Sequence, residues 1–401
     1  MKKLKMNKGI TLIALILTII VLIILAVVAI NVVTGDGIIA HAKNARDTYE
    51  RKSQEENELL KKYEEQIKES MNNGGKADGA TVKGSLNVVI SEKENAPLTD
   101  EYGNKITVPA GFKILVDSTT DYNADNINVT KGIVVEDEKG NQFVWIPVGT
   151  IYTNKEKTAS KTITLGRYSS FSKTNGTYTV AQKADDYVEK VEIDGYTEDT
   201  TERHDSSYGN TIANNIGDFC TKSLTSGGYY IGRYEARYEE PYDRNSGMME
   251  VEPSTITLKA SDKVCSFILQ APAANACKNM YTNNPFTSDL VNSYAWDTAI
   301  IFFQEFGGDL NSDYANKTSV NDTPSFSELT TDKVCNVYDM ASNCWEWTTE
   351  TSNNSGYACC MRGGASKSTD TAISRNLGST VVSGSSTALY NRYSFRPVLY
   401  M

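Results

Sequence analysis

Hydrophobic and polar positions divide the chain into three stretches of different texture. Residues 10–30 form a run of 21 positions without a charged side chain, and four lysines stand within the first eight residues. An apolar run of this length can span a bilayer as a helix, and the positive charge before it favours a cytoplasmic N-terminus. The pattern therefore predicts a membrane-spanning helix at the start of the chain.

The second stretch, residues 38–71, is polar with a thin apolar stripe. Apolar side chains recur at every third or fourth position, and acidic residues stand four positions before lysines, as Glu58 does before Lys62. This spacing is typical of a solvated helix supported by ion pairs between successive turns. The Asn-Asn-Gly-Gly sequence at 72–75 then ends the helix. We expect residues 10–75 to form a transmembrane and stalk helix.

From residue 81 onward, short apolar runs alternate with turn residues, which indicates strands. The predicted strands are 86–90, 112–116, 133–136, 143–148 and 227–234. Residues 137–141 are typical of a hairpin turn, and the polar stretch 150–225 predicts long surface loops. Helices are predicted at 272–281 and 293–306, the second with an aromatic stripe typical of a core face. The predicted fold class is therefore α+β.

Composition excludes several classes of function. Fifty acidic residues against forty basic ones leave a net charge of −10, which argues against a nucleic-acid partner held by phosphate contacts. The only histidines are His41 and His204, too few for a histidine metal centre, and seven cysteines are too few for a disulfide scaffold in a chain of 401 residues. The chain also lacks a Gly-x-Ser-x-Gly motif, a P-loop, a Cys-x-x-Cys pair and a His-Glu-x-x-His motif.

The start of the chain resembles type IV prepilins and pseudopilins. The resemblance rests on Gly9 in the sequence Lys-Gly-Ile-Thr-Leu-Ile, directly before the apolar run. It implies a leader at 1–9, cleavage by a prepilin peptidase after Gly9, methylation of Ile10, and other pilins as candidate partners. The family usually has glutamate where this chain has Ala14, which argues against assembly into a pilus. The resemblance implies a membrane-anchored protein with an extracellular globular domain.

The end of the chain resembles the formylglycine-generating-enzyme (sulfatase-modifying factor) family. The resemblance rests on Asn-Val-Tyr-Asp-Met-Ala-Ser-Asn-Cys-Trp-Glu-Trp-Thr at 336–348, Arg-Gly-Gly at 362–364 and Phe-Arg-Pro-Val at 395–398, with further likeness at 140–147 and 230–235. It implies a C-type-lectin-like mixed α/β domain with long loops over 131–401. Residues 76–130 would be a connecting β region, and 150–225 a loop-rich insertion.

The family's oxidase activity needs two copper-binding cysteines shortly after the Arg-Gly-Gly motif. The last cysteine of this chain is Cys360, so that pair is missing. Cys359 and Cys360 precede the motif, and adjacent residues of a strand point to opposite faces. We therefore predict a non-enzymatic protein that does not bind copper.

The resemblance also implies a calcium site in the loop before the Trp-Glu-Trp sequence. Mapped onto this chain, the ligands would be Asp339, Ser342, Cys344 and Glu346. Oxygen ligands of this kind suit calcium. The alternative is that Asp339 and Glu346 form hydrogen bonds within the loop without a metal ion. Arg362 and Arg396 are expected in internal salt bridges or carbonyl contacts rather than at a substrate.

Between these motifs the C-terminal segment is rich in small polar residues. Such residues suit an adaptable binding surface, and equally a solvated one. Proteins that are diversified by retroelements carry a hypervariable segment at this place, next to similar motifs. The candidate ligand-binding residues are Ala365, Ser366, Lys367, Ser368, Thr369, Asp370, Thr371, Leu377, Gly378, Leu389, Tyr390, Asn391 and Arg392.

These features predict a surface-anchored, non-enzymatic protein with a variable C-terminal face that binds an external protein or glycan. One alternative is a minor pilin or pseudopilin with a structural globular head. Another is a divergent formylglycine-type oxidase that uses Cys359 or Cys360.

Overall fold

The structure is a computed structural model of the chain. It describes residues 17–25, 81–185, 191–198, 203–204, 211–212, 216–238, 256–266, 268–308, 312–319, 329–352, 359–378 and 392–401. The chain divides into two units, Met1–Asp78 and Gly79–Met401.

In the first unit, the described residues are 17–25, which form helix α1. Over the part of the chain that the structure describes, no helix is both long and apolar enough to cross a membrane. This finding overturns the predicted transmembrane and stalk helix at 10–75 and the membrane-anchored, extracellular location inferred from it. Gly9, Ile10 and most of 10–75 lie outside the described residues.

The second unit contains three α-helices among its described residues. They are α2 (Ile216–Ser226), α3 (Gln270–Asn279) and α4 (Ser293–Phe306). Helix α4 has the bounds that its aromatic pattern predicts, and the side chain of Asn292 caps it by accepting a hydrogen bond from the Ala295 N–H at 2.9 Å. Short 3-10 helices occupy Val82–Ser85, Val129–Lys131 and Tyr314–Asn316.

Most of the described regular structure is β-strand. The first strands are β1 (Ala96–Thr99), β2 (Lys105–Val108), β3 (Lys113–Ile114), β4 (Val134–Glu136), β5 (Gln142–Pro147), β6 (Gly149–Tyr152), β7 (Ser160–Ile163), β8 (Gly166–Thr174), β9 (Thr177–Lys183), β10 (Glu192–Ile193), β11 (Tyr196–Thr197), β12 (Arg203–His204) and β13 (Thr211–Ile212). The remainder are β14 (Gly228–Gly232), β15 (Arg237–Tyr238), β16 (Ile256–Thr257), β17 (Lys263–Val264), β18 (Thr287–Leu290), β19 (Lys333–Val334), β20 (Val337–Tyr338), β21 (Trp345–Ser352), β22 (Cys359–Arg362), β23 (Arg375–Gly378), β24 (Tyr393–Phe395) and β25 (Pro397–Tyr400). The predicted α+β class with a long N-terminal helix is therefore wrong, because the chain folds mainly into several β-sheets with few helices.

A six-stranded antiparallel sheet, the central sheet, has the order β18-β25-β14-β5-β4-β3. Its strands β14 and β5 are buried almost throughout, and Tyr230 pairs with Trp145 on one side and with Leu399 on the other. The predicted hairpin turn at 137–141 is confirmed, since β4 and β5 pair in antiparallel register on either side of it. The strand predicted at 86–90 is replaced by single bridges to β3.

A second six-stranded sheet, the C-terminal sheet, has the order β10-β11-β21-β22-β23, and β24 pairs with β21 in parallel. Strands β16, β15 and β17 form a three-stranded sheet, and the remaining strands form two-stranded ones. Strand β23 lies at the end of the C-terminal sheet, and its Arg375 pairs with Arg362 of β22.

The stretch 150–225, for which the sequence predicts long loops, contains four antiparallel strand pairs among its described residues, and most of helix α2. Strands β6 and β7 pair, as do β8 and β9. These hairpins bury isolated apolar residues such as Ile163, Tyr168 and Phe171 and leave polar residues outside. A hairpin that buries one face can be polar on average, so composition conceals it.

The described core consists of two apolar clusters. The larger one packs the central sheet against α4, with Trp145 and Trp296 fully buried. The smaller one packs α3 against the C-terminal sheet around Trp347. Buried charged residues connect these two cores, and the candidate site is built on them.

Candidate functional site

Five charged side chains form a buried group, here called the ion-pair cluster. They are Arg167 of β8, Asp297 of α4, Glu350 of β21, Arg362 of β22 and Arg375 of β23. Their side chains are at most 5% exposed. The cluster therefore ties the C-terminal sheet to a hairpin and a helix of the larger core.

Glu350 is the centre of the cluster. Its Oε1 lies 3.0 Å from Arg167 Nη2 and 2.9 Å from Arg375 Nε, and its Oε2 lies 3.0 Å from Arg362 Nη1. Burial alone would raise the pKa of Glu350, but Arg375, Arg362 and Arg167 outweigh it and hold the pKa well below its ordinary value. The carboxylate is therefore charged at neutral pH.

Asp297 is the second acid of the cluster. Its Oδ1 lies 2.5 Å from Arg362 Nη2, and its Oδ2 lies 2.8 Å from Arg375 Nη2 and accepts the Tyr168 N–H at 2.8 Å. Asp297 thereby fixes the end of β22 and the start of β23 relative to helix α4. The segment between these two strands begins and ends on the cluster.

The Gly-Gly part of the Arg-Gly-Gly motif permits a close backbone crossing. Gly363 has φ of +78°, and a Cβ atom there would lie 2.4 Å from the Met340 carbonyl oxygen. A Cβ atom at Gly364 would lie 2.3 Å from the Ala341 carbonyl oxygen. Only glycine therefore allows the chain that follows β22 to pass so close to the backbone of residues 340–341.

Arg396 occupies a separate buried site. It forms a double ion pair with Glu346, and its Nη1 and Nη2 donate to the carbonyl oxygens of Gly232 and Tyr338, each at 2.9 Å. The prediction that Arg362 and Arg396 make internal salt bridges and carbonyl contacts is confirmed.

The four predicted calcium ligands lie beside Arg396. Both oxygens of Glu346 bond to Arg396, and Asp339 Oδ1 accepts a hydrogen bond from Thr330. Asp339 Oδ2 has no hydrogen-bond partner, and burial raises the pKa of this carboxyl to about 7. Ser342 and Cys344 are buried.

A calcium ion needs several free oxygens, and these side chains do not offer them. Among the described residues, no three His, Cys, Asp or Glu side chains are grouped as metal ligands. The four residues therefore do not fit a calcium ion in this geometry, and calcium binding stays a prediction.

Cys359 and Cys360 lie on opposite faces of β22, as their adjacent positions predict. Cys359 Sγ donates to Gln270 Oε1 at 2.8 Å in the smaller core, whereas Cys360 Sγ faces Glu350 Oε2 at 3.7 Å. Burial and the nearby Glu350 raise the pKa of the Cys360 thiol well above its ordinary value. The two sulfur atoms therefore cannot bind one copper ion together in this geometry, and Cys360 is not a reactive thiolate.

The candidate ligand-binding residues separate into buried and accessible ones. Ala365 and Ser366 are fully buried, and Gly378 is covered by Trp347, whose ring would lie 2.1 Å from a Cβ atom there. Lys367 and Thr369 are exposed. The remaining described candidates are Ser368, Asp370, Thr371 and Arg392, which are half-buried, and Leu377, which is exposed. Leu389, Tyr390 and Asn391 lie outside the described residues.

Several accessible residues meet on one patch, here called the C-terminal surface and defined as Trp345, Lys367, Ser368, Thr369, Asp370 and Tyr393. Asp370 Oδ2 accepts hydrogen bonds from Trp345 Nε1 at 2.9 Å and from Ser368 Oγ. The Trp345 and Tyr393 rings are 5.9 Å apart, on the parallel strands β21 and β24. The surface therefore combines two half-exposed aromatic rings with short polar side chains.

Buried contacts fix the backbone below this surface. The Ser366 N–H donates to the Asn343 carbonyl oxygen at 3.0 Å, and Trp296 Nε1 donates to the Ala372 carbonyl oxygen at 2.9 Å. Residues 367–370 therefore project from a segment that is held at both ends.

No protein-family model, curated protein or solved structure matches the chain. The resemblances at 1–75 and 130–401 are therefore without support from these comparisons. The geometry of the described residues carries the functional argument.

Sequence reasoning missed the ion-pair cluster to which Arg362 belongs. Arg167, Asp297 and Glu350 lie in three different elements, more than 50 positions apart along the chain from one another. The available signal was their chemistry, because charged residues inside apolar patterns are almost never buried without partners. Asp297 stands in the otherwise apolar helix α4, and that position could have been recognised.

Proposed function

We propose that the chain is a non-enzymatic ligand-binding protein whose specificity depends on side chains of the C-terminal surface. The observation that carries the proposal is that residues 367–370, of which Lys367 and Thr369 are exposed, stand on a backbone held by buried contacts. Side chains in such positions can change without unfolding the domain, because the fold does not depend on them. A binding site on a rigid frame needs this arrangement.

The chemistry of the surface supports the same function. Trp345 and Tyr393 offer large, rigid contact areas with few rotatable bonds, and the side chains at 367–370 offer a charge of each sign and two hydroxyl groups. This combination is typical of adaptable protein and glycan recognition. We extend the proposed site to the candidates Leu389–Arg392 on the basis of sequence composition.

The absence of an enzymatic role is also part of the proposal. The described cysteines are all buried, and burial raises the pKa of Cys360 well above its ordinary value. Cys359 faces the smaller core, whereas Cys360 faces Glu350 of the ion-pair cluster. These observations argue against the divergent oxidase that uses either thiol.

The resemblance to retroelement-diversified proteins adds that this segment varies between relatives. Sequencing codons 336–401 and the flanking DNA from sister isolates tests this directly. We expect substitutions concentrated at accessible positions such as 367–370, with an adjacent near-copy that differs at adenines and a reverse-transcriptase gene. An unchanged segment without a near-copy would exclude diversification.

A folding experiment tests the rigid-frame argument. One library randomises 367–370, and a matched library randomises four members of the ion-pair cluster, Asp297, Glu350, Arg362 and Arg375. We expect most members of the first library and few of the second to resist protease digestion. Screening the folded members of the first library on a glycan array and a panel of immobilised proteins should yield clones with different specificities. Equal protease sensitivity of the two libraries, or folded clones with one common binding profile, would refute the proposed function.

A further inference from the structure

A cleft of about 260 Å³ lies on the side of the ion-pair cluster that faces solvent. Its walls are the middle of β8, the turn at Asp194, Ala315 and Asn316 of a 3-10 helix, and Ile373 with Arg375 at the start of β23. The volume is just below the ~300–1,000 Å³ of clefts that bind drug-sized molecules, so its ligand must be smaller. The cleft shares no lining residue with the C-terminal surface.

Arg375 provides the charged part of the lining. Its Nε and Nη2 bond to Glu350 and Asp297 at 2.9 and 2.8 Å. Its Nη1 has only Asp194 nearby among the described residues, at 3.9 Å, which is too long for a hydrogen bond. Nη1 is therefore the nitrogen with donors available to a molecule in the cleft.

The charge balance behind Arg375 favours an anion. The ion-pair cluster contains three guanidinium groups and two carboxylates, all buried, so within this cluster of described residues the positive charges exceed the negative ones by one. Asp194 does not supply a buried counterpart, because its side chain is 78% exposed. An uncompensated charge in a buried setting is unfavourable, and a carboxylate is a strong partner for guanidinium.

The rest of the cleft offers hydroxyl groups beside an apolar wall. Ser169, Ser170 and Ser172 line it, and the contacts between Ser170 and Ser172 are weak, at 3.4 and 3.5 Å. The strand pairing of β8 is irregular here, and such bulges often redirect side chains at functional sites. Phe171 and Ile373 form the apolar part.

We propose that this cleft binds a small monocarboxylate that carries hydroxyl groups, such as a hydroxy acid or an acidic monosaccharide. The carboxylate of the ligand binds Arg375 Nη1 in place of Asp194, and the hydroxyl groups of the ligand form hydrogen bonds with the serines of β8. This site is independent of the proposed function, because it uses neither the C-terminal surface nor its variation.

Titration calorimetry on the full chain tests the proposal, with glucuronate as the probe and glucose as the neutral control of the same ring shape. We expect saturable binding of glucuronate that weakens with added salt, and no binding of glucose. Asp194→Asn removes the competing carboxylate and should strengthen glucuronate binding about two- to fivefold, the range of an exposed ion pair. Asp125→Asn, which changes an exposed acid elsewhere, should leave the affinity unchanged.

A cleft-filling variant locates the site. Ser170→Trp places an indole over the serines of β8 at a half-buried surface position and should abolish glucuronate binding without lowering the melting temperature by more than a few degrees. If Ser170→Trp unfolds, Ser172→Trp, at an exposed position, replaces it. Absence of glucuronate binding, equal binding of glucose, or unchanged binding in a folded cleft-filling variant would overturn the proposal.

Discussion

Replacing Glu350 with glutamine should cost the domain a large part of its stability. The change keeps the volume of the side chain and removes the negative charge that three guanidinium groups share at 2.9 to 3.0 Å. It leaves Asp297 as the one acid of the cluster beside three buried arginines, so two positive charges of the cluster are uncompensated instead of one. All three arginines then face an amide, whose oxygen accepts more weakly than a carboxylate and whose NH2 group cannot accept.

The magnitude follows from this geometry. Removing one partner of a buried ion pair costs about 3–5 kcal/mol, and Glu350 has three partners, so we expect the upper half of that range. A domain of ordinary stability has about 5–15 kcal/mol to lose. The arginines hold the pKa of Glu350 below its ordinary value. Its contribution to the free energy of unfolding is therefore complete above about pH 4.3 and decreases as the pH falls below that value. The comparison therefore belongs at pH 7.

Urea unfolding followed by circular dichroism measures the loss. With a slope of about 3 kcal/mol per molar urea, Glu350→Gln should lower the midpoint by more than about 1 M. The matched control is Asp125→Asn, which breaks the exposed pair with Lys83 and should cost less than about 1 kcal/mol. Arg167→Met combined with Glu350→Gln should be clearly non-additive, since the two side chains are in contact. A midpoint for Glu350→Gln close to that of the control, or strict additivity, would refute the role assigned to the cluster.

Three further predictions concern other buried positions. Burial raises the pKa of Asp289 to about 7, so between about pH 4 and 7 the folded state keeps a proton that the unfolded state releases. The free energy of unfolding therefore falls as the pH rises through this range. Asp289→Asn should remove that fall, so the urea midpoint of the variant should exceed that of wild type by more at pH 8 than at pH 5. Gly378→Ala should destabilise by about 1–3 kcal/mol, because the new methyl group would overlap the Trp347 ring, and a melting temperature equal to that of wild type would contradict this contact. The cysteines are all buried, so the native protein should not react with a thiol reagent within minutes, whereas all seven should react in urea. Rapid labelling of Cys359 or Cys360 in the native protein would show that the C-terminal sheet opens.

Local patterns in the sequence predicted local structure well. Helix α4 has the bounds predicted from its aromatic stripe, and the predicted turn at 137–141 joins two paired strands. The opposite orientation of Cys359 and Cys360 followed from the two-residue period of a strand. Each of these features depends only on residues close together in the chain.

Features that depend on distant residues could not be predicted in the same way. Glu350 and Arg167 form an ion pair although 183 positions separate them, and neither lies in a sequence motif that predicts a partner. The hairpins within 150–225 were missed because their few apolar residues are diluted by polar ones on the outer face. The N-terminal prediction extended an apolar run into a long membrane-spanning helix, whereas no helix of the described residues is both long and apolar enough to cross a membrane.

The position of β25 has a consequence for biosynthesis. This strand comes from the last residues of the chain, yet it lies between β14 and β18 in the central sheet. During translation, both of those strands therefore have an unpaired edge until about 160 residues after β14 have been synthesised. At ordinary elongation rates this takes roughly 10–30 s. A nascent chain that stops before Pro397 keeps two unpaired strand edges, a surface that favours aggregation. Premature termination in the closing segment should thus yield chains that chaperones and proteases remove, and only complete translation through Tyr400 closes the sheet.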